Sequence, residues 1–217
     1  MKKAFSLIEL VIVIVVIGIL AVYSIPRMNK DNRAKAMNHI LTMIRYTQNL
    51  ALHDSKQLRD NPNWQKGFWS FRIYKCQNEN KYYFVVASDE DRNGTVTKNE
   101  SAVDPANGKY LYAYNNCDLA KKDSEVSPNV FLDNFGINSV TFHSCAGNLG
   151  SGNAKHIGFD KFGRVHKNFE SSNVPDYKSY RRSDCRITFG FEDGSQPFTI
   201  RVKKETGFAY IEENPKL

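Results

Sequence analysis

Ala4-Phe5-Ser6-Leu7-Ile8-Glu9-Leu10-Val11-Ile12-Val13 opens a run that stays apolar or small from Leu10 to Tyr23, and one residue near its start does not match the rest. Phe5 to Ile25 is 21 residues. As a helix at 1.5 Å per residue that is about 31 Å, enough to cross a bilayer core of roughly 30 Å. Lys2 and Lys3 on the short side keep that end cytoplasmic. A secretory signal peptide has the same basic start and apolar run, but it ends in a small-x-small cleavage site. Here the run ends in Tyr23-Ser24-Ile25-Pro26-Arg27. A disposable leader also leaves Glu9 unexplained. A carboxylate at membrane depth costs about 2.5 kcal/mol or more unless a partner neutralises it, so it marks function.

The segment Ala4-Phe5-Ser6-Leu7-Ile8-Glu9-Leu10 resembles the class III signal of prepilins, in which a dedicated peptidase cuts before a Phe and leaves the apolar segment on the protein. The resemblance implies cleavage between Ala4 and Phe5 and methylation of the new amino group of Phe5. The family's Glu four residues after that Phe is matched by Glu9, and its frequent downstream Pro by Pro26. The family usually has Gly before the cut. This chain has Ala4, the next smallest residue, so cleavage is still expected and its efficiency is open. The implied setting is the bacterial inner membrane, crossed once, with the C-terminal domain in the periplasm. The implied partners are other pilin or pseudopilin subunits, the prepilin peptidase and the inner-membrane assembly platform. The chemistry of Glu9 follows. Cleavage uncovers an ammonium at Phe5, and a helix entering a filament brings that charge near the Glu9 carboxylate of a neighbour. Each buried charge is costly alone; pairing offsets most of that cost and rewards correct axial register.

Beyond Pro26, expected to bend or locally open the helix, the pattern becomes amphipathic. Met37, Ile40, Leu41, Ile44 and Ala51 form a helical stripe, with Arg33, Lys35, Asn38, Arg45 and Gln48 mostly off it. From about Gly67 the chain reads as strands at 67–74, 81–87, 109–114, 137–143, 156–159, 186–191, 198–203 and 208–212, separated by Gly, Asn, Asp and Pro. Helix first and strands afterwards give an α+β class: a long N-terminal helix packed on an antiparallel, β-rich, pilin-like domain. The expected organisation is a leader at 1–4, a transmembrane half-helix at 5–25, an amphipathic half at 26–55 and a globular domain at 56–217. Within filament proteins this domain resembles the FimT/GspH type of minor pilin or pseudopilin. The matching pieces are Trp64-Gln65-Lys66-Gly67-Phe68, Gly158-Phe159-Asp160-Lys161-Phe162-Gly163-Arg164 and the Thr206-Gly207 turn.

Composition is that of a globular chain, 41% hydrophobic and 24% charged, with a formal charge of +7 that falls to +5 once Lys2 and Lys3 leave. That balance is too weak to imply nucleic acid by itself. Cys76, Cys117, Cys145 and Cys185 are too widely spaced for a C-x-x-C site. An even, scattered set fits disulfides in an oxidising compartment. Three connectivities are possible. Cys76–Cys117 with Cys145–Cys185 is the expectation, because sequence neighbours in a meandering sheet are often spatial neighbours. A zinc site of His143, Cys145, His156 and Cys185 is the competing reading.

Asp89-Glu90-Asp91-Arg92-Asn93-Gly94-Thr95-Val96-Thr97-Lys98-Asn99-Glu100 matches the calcium-loop pattern D-x-[DN]-x-[DN]-G-x₅-E throughout. Asp89, Asp91 and Asn93 would offer side-chain oxygens, Thr95 its carbonyl and Thr97 a direct or water-mediated contact. Glu100 would close the shell with two oxygens. Gly94 permits the sharp turn, and Val96 is expected to tuck inward. The plain alternative is a polar Asp/Asn-Gly turn between strands, and the flanking helices of an EF-hand are missing, since Tyr82–Ala87 reads as a strand.

No H-E-x-x-H, G-x-S-x-G or Walker-type loop occurs, and Gly150-Ser151-Gly152 reads as a turn, so an enzyme is not expected. Two roles remain: a subunit for type II secretion or pilus assembly, contacting secreted protein, or a minor pilin that binds DNA during natural transformation. For DNA, Tyr177-Lys178-Ser179-Tyr180-Arg181-Arg182 interleaves aromatics with cations, as single-strand binders do. Arg164, in a Gly163-Arg164 turn similar to that of DNA-binding relatives, and Arg201, Lys203 and Lys204 add charge. An ordinary exposed loop has the same composition.

Overall fold

In a computed structural model, residues 7–57, 60–143, 145, 147–149, 154–171, 173–174 and 177–212 are described, the side chains of 21–31, 148, 149 and 154 excepted. Helix α1 (Leu7–His53) is a single 47-residue α-helix, continuous across position 26, so the opening expected at Pro26 does not break it. Residues 7–20 are exposed throughout. From position 36 onward the helix has one buried face, made by Ala36, Ile40, Met43, Ile44, Thr47 and Ala51. Spacings of four, three, one, three and four keep these on one side of a 3.6-residue helix. Met37 and Leu41, expected in the stripe, lie at its half-buried flank. Thr47 enters the face because its Oγ1 donates to the Met43 carbonyl at 2.8 Å, which satisfies the hydroxyl without leaving the helix.

That face packs across two antiparallel sheets. The first has the order β2-β1-β5-β4, from β1 (Trp69–Lys75), β2 (Tyr82–Ala87), β4 (Gly147–Leu149) and β5 (Ala154–Phe159), with the short β6 (Val165–His166) also pairing β5. The second has the order β3-β7-β8-β9, from β3 (Ile137–His143), β7 (Cys185–Phe191), β8 (Phe198–Val202) and β9 (Ala209–Glu212). The α+β expectation holds. The core is one cluster shared by the helix face and both sheets, with Phe71, Phe84, Phe131, Phe159 and Phe189 fully buried.

Seven of the eight expected strand segments are strands; 109–114 is not. Lys109 and Leu111 pair with Asp104 and Ala102, Tyr110 with Glu125 and Ser127, and Leu111 also with Val86, so each neighbour is met by a single bridge and no ladder of consecutive bridges forms. Isolated bridges at Tyr110 are what remains of it. The sequence reading also lacks β4, β6 and the one-turn helix α2 (Cys117–Ala120), which Asn116 caps through Oδ1. Among the described residues, no helix is long and apolar enough to cross a membrane. The described apolar side chains are those of 7–20, and the remainder of the expected 5–25 span lies outside them.

Both expected disulfides are formed, Cys76–Cys117 and Cys145–Cys185, with Cα atoms 5.7 and 4.9 Å apart. This overturns the zinc alternative, because a sulfur in a disulfide is not a thiolate and cannot ligate zinc.

Candidate functional site

The acidic loop hangs from the end of β2. Its base is closed by the Ala87–Ser101 bridge and by the Ser88 N–H donating to the Glu100 carbonyl at 3.1 Å. Ser88 and Asp89 are fully buried, and Ser88 Oγ donates to the Gly67 carbonyl at 2.8 Å, pinning the entry to the loop. Asp89 Oδ2 accepts the Gly94 N–H at 2.9 Å, which curls the chain back on itself. Gly94 has φ +92°, in the left-handed region where a side chain would be strained. Val96 tucks against the core as expected. The exit is a 3-10 turn, Lys98–Glu100, closed by a capping box: Thr97 N and Oγ1 both donate to Glu100 Oε2 at 2.8 Å.

The carboxylates of Asp89, Asp91 and Glu100 converge, with one oxygen of each lying within 4.8 Å of the others. Asp89 Oδ1 is buried and has no hydrogen-bond partner. Burial pushes the Asp89 carboxyl above its usual range, and the Asp91 and Glu100 carboxylates add to this; the Gly94 N–H and Arg72 only partly oppose it. Glu100 goes the other way. Burial raises it, but hydrogen bonds from Thr97, Asp91 and Glu90 outweigh burial and hold it below the carboxylate range. The remaining expected ligands are differently engaged. Asn93 Oδ1 accepts from Thr95 N–H and Oγ1, while Thr97 Oγ1 is spent on Glu100.

The expected nucleic-acid residues divide. Arg164 sits among aromatic rings, 5.1 Å from the centroid of Phe162, 5.9 Å from Tyr177 and 5.6 Å from Tyr180. Its charge is already matched, because Nε and Nη2 both lie 2.7 Å from Asp160 Oδ2. Phe162 and Tyr177 remain exposed beside it. Arg181 is half-buried and donates to Ser183 Oγ at 2.9 Å, whereas Lys178 and Arg182 are exposed. The additional cations are paired off: Lys203 and Arg201 with Asp184 at 3.0 and 3.9 Å, and Lys204 with Glu205 at 3.4 Å. The fold thus assembles an aromatic surface with a neutralised Arg at its centre, not a continuous basic stripe.

Sequence reasoning missed a buried polar group under the first sheet. Arg72 on β1 lies 3.7 Å from Glu170, whose other oxygen is 2.7 Å from His156 Nε2 on β5. The signal was available in Trp69-Ser70-Phe71-Arg72-Ile73, where a cation falls among the large apolar residues of a strand.

At the N-terminus, Glu9 stands within the exposed apolar stretch 7–20, which makes no packing face of its own. Ala4 and Phe5 lie outside the described residues. Residues 1–24 match the family model described as the prokaryotic N-terminal methylation motif. The chain carries a prepilin-type N-terminus. That supports a type IV pilin-like protein, with a membrane-anchored N-terminus, peptidase processing and assembly with other pilins. The match covers the segment the sequence resemblance rests on and leaves the globular domain of the pilin-like chain unassigned. No curated protein and no solved structure matches the chain significantly.

Proposed function

We infer that the chain is a minor pilin or pseudopilin of the FimT/GspH type, a subunit of a type IV pilus-like filament serving type II secretion or pilus assembly. The observation that carries this is the motif at 1–24 running into one helix with two different halves. Residues 7–20 expose Leu7, Ile8, Leu10 and their apolar successors, while 36–51 bury a face on the sheets. An apolar surface of that extent requires a cover, supplied by lipid before assembly and by the helices of neighbouring subunits after it. The globular domain then lies on the periplasmic side of the inner membrane, and the assembly platform passes the subunit from bilayer to filament. Phe5, once uncovered, supplies the ammonium that Glu9 of an adjoining subunit meets.

Mass spectrometry of the membrane-extracted chain tests this: the N-terminal peptide is expected to begin at a methylated Phe5, and an intact Met1 would overturn it. Glu9→Ala is expected to abolish recovery of the chain in sheared filaments. Incorporation at the wild-type level would remove the charge-pair account.

A second reading, DNA capture for uptake, is favoured by one arrangement, the exposed Phe162 and Tyr177 flanking Arg164. Aromatic faces stack bases without sequence preference. A gel shift with single-stranded DNA is then expected to weaken steeply with salt. Charge reversal at Arg181 and Arg182 should abolish it; salt-independent or absent binding returns the chain to a secretion or purely structural role.

A further inference from the structure

We propose that the Asp89–Glu100 loop is a calcium site, with Asp89, Asp91 and Glu100 as its charged ligands. The proposal is independent of which filament the chain serves. Its carrying observation is a single atom. Asp89 is fully buried, its Oδ1 has no hydrogen-bond partner, and one oxygen of its carboxylate lies within 4.8 Å of an oxygen each from Asp91 and Glu100. A buried carboxylate oxygen without a donor loses its hydration and gains nothing in return, and two further carboxylates beside it add repulsion. One divalent cation between the three removes both costs.

Other features choose calcium over its rivals. All three charged groups offer oxygen, the ligand type of hard cations, and no sulfur or imidazole contributes, which disfavours zinc and copper. The Asp89 Oδ2 bond to the Gly94 N–H holds the first ligand at the mouth of the turn, leaving Oδ1 for the ion. Glu100 is fixed at the opposite end by the Thr97 capping box, so both ends of the twelve-residue loop are held before any ion arrives. Asp91 is the exposed member, its two oxygens accepting from the N–H and side-chain amide of Asn93 at 3.0 and 2.7 Å. A shell built from carboxylates of unequal burial, completed by carbonyls and water, suits the six to eight irregular contacts of calcium better than the strict octahedron of magnesium. The loop enters from β2 and leaves through one 3-10 turn, with no paired second loop among the described residues to rigidify it. Affinity therefore belongs in the ~10⁻⁴–10⁻³ M range of extracellular modules.

The test is calorimetric titration of calcium chloride, up to about 10 mM, into the full chain in detergent after chelator treatment. One saturable site is expected, with magnesium at least about tenfold weaker. Asp89→Asn keeps the acceptor for the Gly94 N–H and removes a charge; it and Glu100→Gln should each weaken calcium at least about tenfold. Glu90→Gln, in the same loop but outside the converging set, should leave the affinity unchanged. A flat titration of the wild type would overturn the proposal. So would equal weakening by Glu90→Gln, which would reveal only a diffuse negative surface, or an affinity for magnesium equal to that for calcium.

Discussion

Asp160 is nearly fully buried, and every one of its oxygens is used. Oδ1 accepts the N–H groups of Phe162 and Arg164 at 3.0 and 2.9 Å, while Oδ2 meets Arg164 Nε at 2.7 Å and His166 Nε2 at 3.3 Å. Burial pushes this carboxyl up, but the His166 and Arg164 interactions outweigh it and hold it below the usual carboxylate range. Asp104 follows the same pattern, with Ser127, the Ala106 N–H and Asn129 overcoming burial. A depressed folded value means stability is fully present above the unfolded value of about 3.9 and is lost as pH falls through the folded one. Urea unfolding midpoints should therefore change little from neutral pH down to about 5 and drop below about 4. Asp160→Asn should cost about 1.5–3 kcal/mol at neutral pH and much less in acid. An equal cost at both pH values would contradict the assignment. Gly207 makes a second residue-scale case. It has φ +65°, and an added Cβ would lie 2.1 Å from the Gly163 carbonyl oxygen. Gly207→Ala should lower stability by more than about 1 kcal/mol in the same assay.

Helix α1 behaves as two elements joined end to end, with opposite responses to substitution. Ile40 and Ile44 are fully buried against the sheets, so Ile44→Ala should cost about 2–5 kcal/mol of domain stability through lost contacts and a residual cavity. Val13, in the exposed stretch, should tolerate Ala within about 0.5 kcal/mol by the same urea measurement. Its effect belongs to membrane extraction and filament recovery. A comparable loss of domain stability from Val13→Ala would mean that the first half packs on the domain and does not serve as an anchor. Polar contacts also tie the second half to distant chain: Arg45 donates through Nε and Nη2 to the Ala209 carbonyl at 3.0 and 2.8 Å, and Gln48 to the Thr206 carbonyl. The helix thus holds the last strand of the second sheet.

At the scale of the molecule, the two disulfides do different work. Cys76–Cys117 joins the end of β1 to α2 across 41 residues, pinning the irregular segment 98–135 that covers the edge of β2. Cys145–Cys185 ties the connection leaving the second sheet for the first to the start of β7. By the loop-entropy model, a closed loop of this length is worth about 4 kcal/mol. Replacing Cys76 and Cys117 together by Ser should remove stability on that scale, read as a lower urea midpoint under non-reducing conditions. The wild type under reducing conditions should fall at least as far. No change in either would mean that the covering segment is held by its other contacts alone.

How much of this was legible in the sequence follows from the range of each signal. The apolar run with Glu9, the stripe at 40, 44 and 51, and the alternation of β3 are local patterns, since a helix or strand writes its period into a few consecutive residues. The acidic loop was equally local, a ligand spacing contained in twelve residues. The segment 109–114 has strand composition and forms no strand, because pairing depends on how far a neighbour runs alongside, and 102–104 and 125–127 each meet it at a single bridge. Arg164 read as a free cation, yet the fold brings Asp160 against it and surrounds it with Phe162, Tyr177 and Tyr180. Arg72, Glu170 and His156 come together from three places in the chain. The sequence by itself determined the prepilin-type motif, the helix, most of the strands and the acidic residues of the proposed calcium loop, because each depends on neighbours in the chain. Which oxygen of Asp89 is left unpartnered, which cations are cancelled and which edges are covered were decided only by tertiary structure. Burial, and pairings such as Arg201 and Lys203 with Asp184, act between residues that are distant in the chain and meet only in the folded sheets.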